Sequence, residues 1–171
     1  MDGYLLDTCI LDYWHDAKTD QHHSVVARIA ALPPKTPMKM SVVTLGEIEY
    51  GHLANSKGDK AKQASFNQFV AERFPPAMEI TQHTVTYYGE LRARLFEKFS
   101  PGNNRKKLRP EQLVNPITAR ELGIQENDVW IAAQAMEHRL VLVTADHMHR
   151  IREVVQDLLQ IEDWTLKTAS R

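Results

Sequence analysis

Short apolar runs that end near an acidic or hydroxyl residue alternate in this chain with longer amphipathic stretches, and that alternation leaves few folds open. Leu140-Val141-Leu142-Val143-Thr144 is the clearest strand, because β-branched side chains dominate it and Asp146 closes it. Tyr4-Leu5-Leu6, ending in Asp7-Thr8, is a second. Met38 to Val43, Met78-Glu79-Ile80 and Ile161 to Trp164 are further candidates. Between them apolar residues recur at helical spacing, over 21–32 through Val25, Val26, Ile29 and Leu32 and over 82–99 through Val85, Tyr88, Leu91, Leu95 and Phe99. Other helices are expected from Thr44 to about Asn55, over 60–73 after Gly58-Asp59, from Asn127-Asp128 onward, and over 148–159. Pro33, Pro34, Pro37, Pro75, Pro76 and Pro116 punctuate the pattern, since proline lacks an N–H and restricts its predecessor. Strands alternating with helices imply a three-layer α/β/α domain around a mainly parallel central sheet. In such folds ligands collect beyond the carboxyl ends of the strands.

With 171 residues there is room for one domain with a substantial core, expected over residues 1–166, with an insertion at about 100–122 and a flexible tail at 167–171. The formal charge of -1 excludes little, because a balanced total can hide oppositely charged faces. Cys9 is the one cysteine, so an internal disulfide is impossible, and no Cys/His grouping has zinc-site spacing. A reducing, cytoplasmic location is expected, with no membrane association: the N-terminal Met1-Asp2-Gly3 lacks the basic region of a secretory signal, and the apolar runs are far too short to span a bilayer.

Four acids stand at or near the expected carboxyl ends. Asp7 and Asp146 follow strands, while Glu47 and Asp128 sit in first turns of helices that reach the same edge. Each has an ordinary reading. Glu47 can close a capping box with Thr44, Asp128 or Asn127 can cap a helix, Asp146 can cap the last helix, and Asp7 can make an Asx turn. Together they are harder to dismiss, because an α/β sheet would bring at least two of them to one crevice and no Lys or Arg adjoins any of them in sequence. Crowded carboxylates repel one another, and a divalent cation resolves that conflict. All-oxygen ligands suit Mg²⁺ or Mn²⁺, and such ions activate water against phosphate esters. A metal-dependent phosphodiesterase is the leading reading of the residues.

The segments Leu5-Leu6-Asp7-Thr8, Gly46-Glu47-Ile48-Glu49-Tyr50-Gly51, Asn127-Asp128-Val129-Trp130-Ile131-Ala132-Ala133 and Val143-Thr144-Ala145-Asp146 occur in an order and context that resembles PIN domains. The chain looks like a VapC-type toxin of a toxin-antitoxin pair, and the resemblance covers nearly its whole length. It implies a PIN-like fold, a Mg²⁺-dependent endoribonuclease, a homodimer and inhibition by a cognate antitoxin. It also assigns the acidic quartet, as metal ligands and catalytic groups, to Asp7, Glu47, Asp128 and Asp146, and supporting hydroxyls to Thr8 and Thr144, with His149 as a further supporting residue near the cleft. Two departures stand out. About two dozen residues separate the helix ending near Phe99 from the Asn-Asp helix, where the family usually has a short connection. After Asp146 the chain reads His147-Met148-His149-Arg150, so His149 keeps a common identity while Arg150 replaces the usual aromatic.

Arg92, Arg94, Lys98, Arg105, Lys106, Lys107 and Arg109 form the one local basic excess, opposed by Glu97 alone. It reads as a solvated loop, as an RNA-contacting flap through Arg105, Lys106, Lys107 and Arg109, or as a dimer contact; phosphate contacts would position RNA without choosing its sequence. His22, His23 and His52 are expected to be structural or at the surface. Cys9 has no neighbouring His to activate it and reads as a small buried hydrophobe. Trp14, Trp130 and Trp164 are expected to pack rather than react. Three other classes compete. A haloacid-type phosphatase would need an aspartate where Cys9 stands. A DNA nuclease could use the same acids. A catalytically inactive PIN-like module that binds RNA or protein would be expected to have lost some of them.

Overall fold

The computed structural model describes residues 3–54, 60–100, 108–146, 148–155 and 158–166. Four short strands, β1 (Tyr4–Leu6), β2 (Met38–Lys39), β3 (Val141–Val143) and β4 (Ile161–Glu162), form one sheet in the order β2-β1-β3-β4. Every pairing is parallel, with Leu5 opposite Leu142, Leu6 opposite Val143, and Leu142 opposite Ile161. The helices are α1 (Thr8–His15), α2 (His22–Ala30), α3 (Val42–Ala54), α4 (Lys60–Arg73), α5 (Gln82–Phe99), α6 (Glu126–Glu137) and α7 (His149–Val155).

Alternation along the central strands divides the core. Leu5 and Leu142 join Leu91, Leu95 and Phe99 of α5, Val129 and Ile131 of α6, and Ile151 and Val155 of α7 in one cluster. Leu6 and Val143, one position on, join Ile10 and Leu11 of α1, Val25 of α2, and Phe66 and Phe69 of α4 in the other. Helices therefore cover both faces, which gives the three layers expected from the alternating pattern. Leu5 and Leu6 of β1 and all of β3 are buried and aliphatic, as a sheet covered on both faces requires.

The expected helices over 60–73 and 82–99 match α4 and α5. Thr81 starts α5 with a capping box, its side chain accepting from His83 and Thr84 N–H groups while Thr84 Oγ1 accepts from Thr81 N–H. Other boundaries differ from expectation. The strand expected over Met38 to Val43 stops at Lys39, and α3 has begun by Val42. Ser41 is the reason: its Oγ accepts the Val43 N–H at 2.9 Å, so the chain turns into helix before the two valines can extend the strand. Thr44 is consequently inside α3, fully buried, and its hydroxyl has no partner among the described residues. The capping box expected between Thr44 and Glu47 does not form. Met78 makes only an isolated bridge to Ser41, and α7 is described over His149–Val155, the next two positions of the expected 148–159 helix lying outside the described residues.

The long connection before α6 is more ordered than its composition suggests. Its described part contains a 3-10 turn at Pro110–Gln112 and an antiparallel bridge between Val114 and Glu121. Asn115 closes the bend, its Oδ1 accepting from the N–H groups of Ile117 and Thr118, and Ala119 adopts φ 55°. Leu113, Leu122 and Ile124 are buried in the α5–α6 cluster. Arg105, Lys106, Lys107 and the expected 167–171 tail lie outside the described residues.

Candidate metal centre

Asp7 extends the sheet by one hydrogen bond, from its N–H to Val143 O at 3.0 Å, and then turns the chain into α1. Its carbonyl accepts from the N–H groups of Ile10 and Leu11, which leaves the side chain out of the cap. That carboxylate is 2% exposed and accepts from Thr144 Oγ1 at 2.8 Å and from the Cys9 thiol at 3.5 Å. Burial pushes its pKa up to about 6; the hydrogen bonds from Thr144, the Thr8 backbone and Cys9 partly offset this, while the charge of Asp146 adds to it.

Glu47 lies one helical turn into α3 and ties three elements together. Its Oε2 accepts from Thr8 Oγ1 of α1 at 2.5 Å, and its Oε1 accepts from Asn127 Nδ2 of α6 at 2.8 Å. Asp128, in the first turn of α6, accepts the Gln125 N–H at 2.7 Å. The ordinary capping reading of Asp128 is therefore true, yet its pKa is raised to about 7, first by burial and then by the negative charges of Asp7, Glu47 and Asp146, against the Gln125 hydrogen bond. Asp146 follows β3, its N–H donating to Thr144 Oγ1 at 3.1 Å. Donor atoms of Asp7, Cys9 and Asp146 all lie within 4.8 Å of one another.

All four acids line one cleft of about 600 Å³, together with Thr8, Cys9, Asp12, Tyr50, Gly123, Gln125 and Asn127. No lysine or arginine is among these lining residues. A neighbouring recess of about 260 Å³ shares Thr8, Asp12 and Glu47 and adds Lys62 and His52. Buried carboxylates held at raised pKa values beside further carboxylates form an all-oxygen donor set that fits a hard divalent cation. Cys9 does not join that set. Burial and the charge of Asp7 push its thiol well above the ordinary range, so it stays protonated and serves as a donor toward Asp7. Its expected role as a plain hydrophobe is thus replaced by a polar one.

Thr8 and Thr144, expected as supporting hydroxyls, each donate to a cleft carboxylate. His149 opens α7, but its side chain lies outside the described residues, as does His147. The basic run divides. Arg92 donates to Tyr88, Glu126 and the Leu108 carbonyl, Arg94 pairs with Glu90 at 2.6 Å, and Lys98 pairs with Glu153 at 3.1 Å. With a further bond from Arg94 to the Val154 carbonyl of α7, those three brace α5 against its neighbours. Arg109 is exposed, and its N–H donates to Gln112. Asp12, Tyr50, Gln125 and Asn127 are cleft residues that the sequence reading did not assign; Asn127 was legible only as part of an Asn-Asp pair, and Asp12 only through its helical spacing from Thr8. Among the described residues no helix is long and apolar enough to cross a membrane.

Solved structures share this architecture. VapBC2 from Rickettsia felis, bound to a DNA fragment from its promoter, matches at 23% identity with a TM-score of 0.66, covering 94% of this chain and 98% of that chain. VapBC-1 from nontypeable Haemophilus influenzae matches at 23% identity and a TM-score of 0.65, covering 95% and 98%. FitAcB from Neisseria gonorrhoeae matches at 16% and 0.60, covering 92% and 95%. At these identities the likeness concerns the fold. Nothing among the curated proteins matches the sequence. The family model described as "PIN domain" matches residues 4–154, from the first strand of the sheet to the final helix. That span takes in every acid of the cleft, and the chain belongs to the PIN-domain family.

Proposed function

We propose that this protein is a VapC-type endoribonuclease toxin that hydrolyses RNA phosphodiester bonds in a Mg²⁺-dependent reaction and is inhibited by a cognate antitoxin. The observation that carries the reading is the convergence of Asp7, Glu47, Asp128 and Asp146 on one cleft, with no basic side chain lining it among the described residues. Asp7 and Asp146, with donor atoms within 4.8 Å, would hold the ion from the sheet side, with Asp128 and Glu47 facing them from α6 and α3. When bound, Mg²⁺, or Mn²⁺ in its place, supplies positive charge for the scissile phosphate and lowers the pKa of the attacking water.

The chain's own residues set the geometry. Thr144 and Cys9 orient Asp7, while Thr8 and Asn127 clamp opposite oxygens of Glu47. No histidine is needed to deprotonate water when a bound divalent ion lowers its pKa. Retention of all four acids supports an active enzyme over a decayed binding module. Exposed Arg109, with Arg105, Lys106 and Lys107, is assigned to the RNA backbone. A cognate antitoxin, the kind of partner found in the toxin-antitoxin systems among the structural relatives, and a homodimer mate complete the proposal, with the site of action in the cytoplasm.

The test is incubation of purified, antitoxin-free protein with total cellular RNA in Mg²⁺ and in excess EDTA, followed by mapping of new ends. The expected result is discrete cuts with 5'-phosphate and 3'-hydroxyl ends, in Mg²⁺ only. Undiminished cutting by chelator-washed protein in EDTA, or cyclic phosphate ends, would sink the mechanism.

A further inference from the structure

We infer that Tyr50 is a stacking platform for a nucleobase next to the scissile phosphate. Five tyrosines occur in the chain. Tyr4, Tyr13, Tyr87 and Tyr88 all pack against one of the two cores, and Tyr88 also stacks on Trp130 with ring centroids 3.7 Å apart. Tyr50 is different. It lines the acidic cleft, yet it is 73% exposed, with no ring contact or hydrogen bond among the described residues. A large ring held in water at the rim of a polar cleft contributes nothing to the fold.

Its place on α3 gives it a use. Glu47 and Tyr50 are three residues apart on one helix, so their side chains emerge on adjoining parts of the same face. A phosphate drawn to the acids therefore brings a flanking base within reach of the ring. The cleft's other lining groups are mostly carboxylates, hydroxyls and amides, which an apolar peptide would have to strip of water at a cost. A nucleotide brings both a polar backbone for those groups and a π-face for the ring. The inference rests on the ribonuclease reading above and deepens it by naming a substrate-contacting residue that carries no charge.

The experiment measures binding of single-stranded oligoribonucleotides in Mg²⁺ to a cleavage-deficient Asp128→Asn parent, with and without Tyr50→Ala, Tyr50→Phe and Tyr50→Leu. Because the side chain is exposed, all should fold as the parent does, checked by circular dichroism. Tyr50→Ala and Tyr50→Leu should weaken binding roughly 5- to 100-fold, the range of base–aromatic stacking, while Tyr50→Phe stays within about twofold. The dependence of affinity on salt should not change, since no phosphate contact is lost. An abasic position moved along the oligonucleotide should find one site where base removal costs the parent as much as Tyr50→Ala does, and costs the Ala variant nothing more.

Unchanged affinity in Tyr50→Ala, a flattened salt slope, full rescue by leucine, or no coupled abasic position would each overturn the inference while leaving the ribonuclease reading intact. So would a Tyr50→Ala protein that binds RNA normally but loses a protein partner. If the parent fails to bind RNA at all, both readings fall together.

Discussion

At the scale of single residues, the cleft is costly to the fold that carries it. Asp7 and Asp128 are held protonated more readily than in an unfolded chain, with pKa values near 6 and 7 against an ordinary 3.8. The sign follows from proton counting. Between pH 4 and 7 the metal-free folded state binds more protons than the unfolded state, so stability is greatest at the acid end of that window and falls as pH rises through it. For Asp7 alone the loss amounts to about 3 kcal/mol. We predict that Asp7→Asn, which keeps the shape without the charge, gains about that much on the metal-free wild type between pH 4 and 7. Urea unfolding at a series of pH values in EDTA checks this, and parallel stability profiles would contradict it. Divalent metal should remove the penalty in the wild type and not in the variant. Thr144 allows a milder change. Thr144→Val removes the donor to Asp7 but keeps the volume, so the Mn²⁺ concentration for half-maximal cleavage should rise about 10- to 100-fold. An unshifted midpoint would make that hydroxyl a bystander.

Single elements show where the sequence could be read and where it could not. Amphipathic periodicity over long stretches fixed the extents of α4 and α5 well, and strong apolar runs identified β1 and β3. The entry to α3 was misread because Val42 and Val43 favour strand, whereas Ser41 Oγ caps the chain into helix at that point. A capping hydrogen bond of this kind depends on the backbone path, which a pattern of residue types does not show. Asp7, Asp128 and Asp146 were legible because each follows a strand or opens a helix, whereas Glu47, expected in the first turn of its helix, lies deeper because α3 begins at Val42. Their linkage through Thr8, Asn127 and Thr144 was not, since those contacts span up to 137 positions, as in the Thr144 Oγ1 to Asp7 Oδ2 bond. The connection before α6 was likewise read by its charge, while its buried residues went unnoticed. Leu122 is 1% exposed and Ile117 is 92% exposed, although they stand only five positions apart around the same Val114–Glu121 bridge. Leu122→Ala should therefore cost about 2–5 kcal/mol in urea unfolding, against about 0.5 kcal/mol or less for Ile117→Ala. Equal small effects would show that the segment is a solvated loop after all. Glu111 gives the same segment a link to the site, its carboxylate accepting the Glu126 N–H at 2.8 Å and so holding the start of the helix that bears Asp128.

For the whole molecule, parallel strands with helices on both faces bring residues 7, 47, 128 and 146 to one edge of the sheet, and that edge is where inhibition should act. An Arg or Lys from an antitoxin tail, placed among the four carboxylates, would supply the positive charge that Mg²⁺ otherwise brings. Inhibition by the product of an adjacent small gene should therefore weaken as Mn²⁺ is raised, and its basic tail should bind Asp128→Asn less tightly than wild type. A titration indifferent to both would rule out charge replacement. The central claim, that the four carboxylates hold the ion on which RNA cleavage depends, is tested most directly by single-turnover cleavage measured against Mn²⁺ concentration for wild type, Asp7→Asn and Asp128→Asn. The account predicts that wild-type cleavage saturates with Mn²⁺ and vanishes in EDTA, and that each variant, folded by circular dichroism, is slower by more than the roughly 100-fold that loss of an outer partner costs. Near-wild-type rates in either folded variant at the same Mn²⁺ concentrations would contradict it.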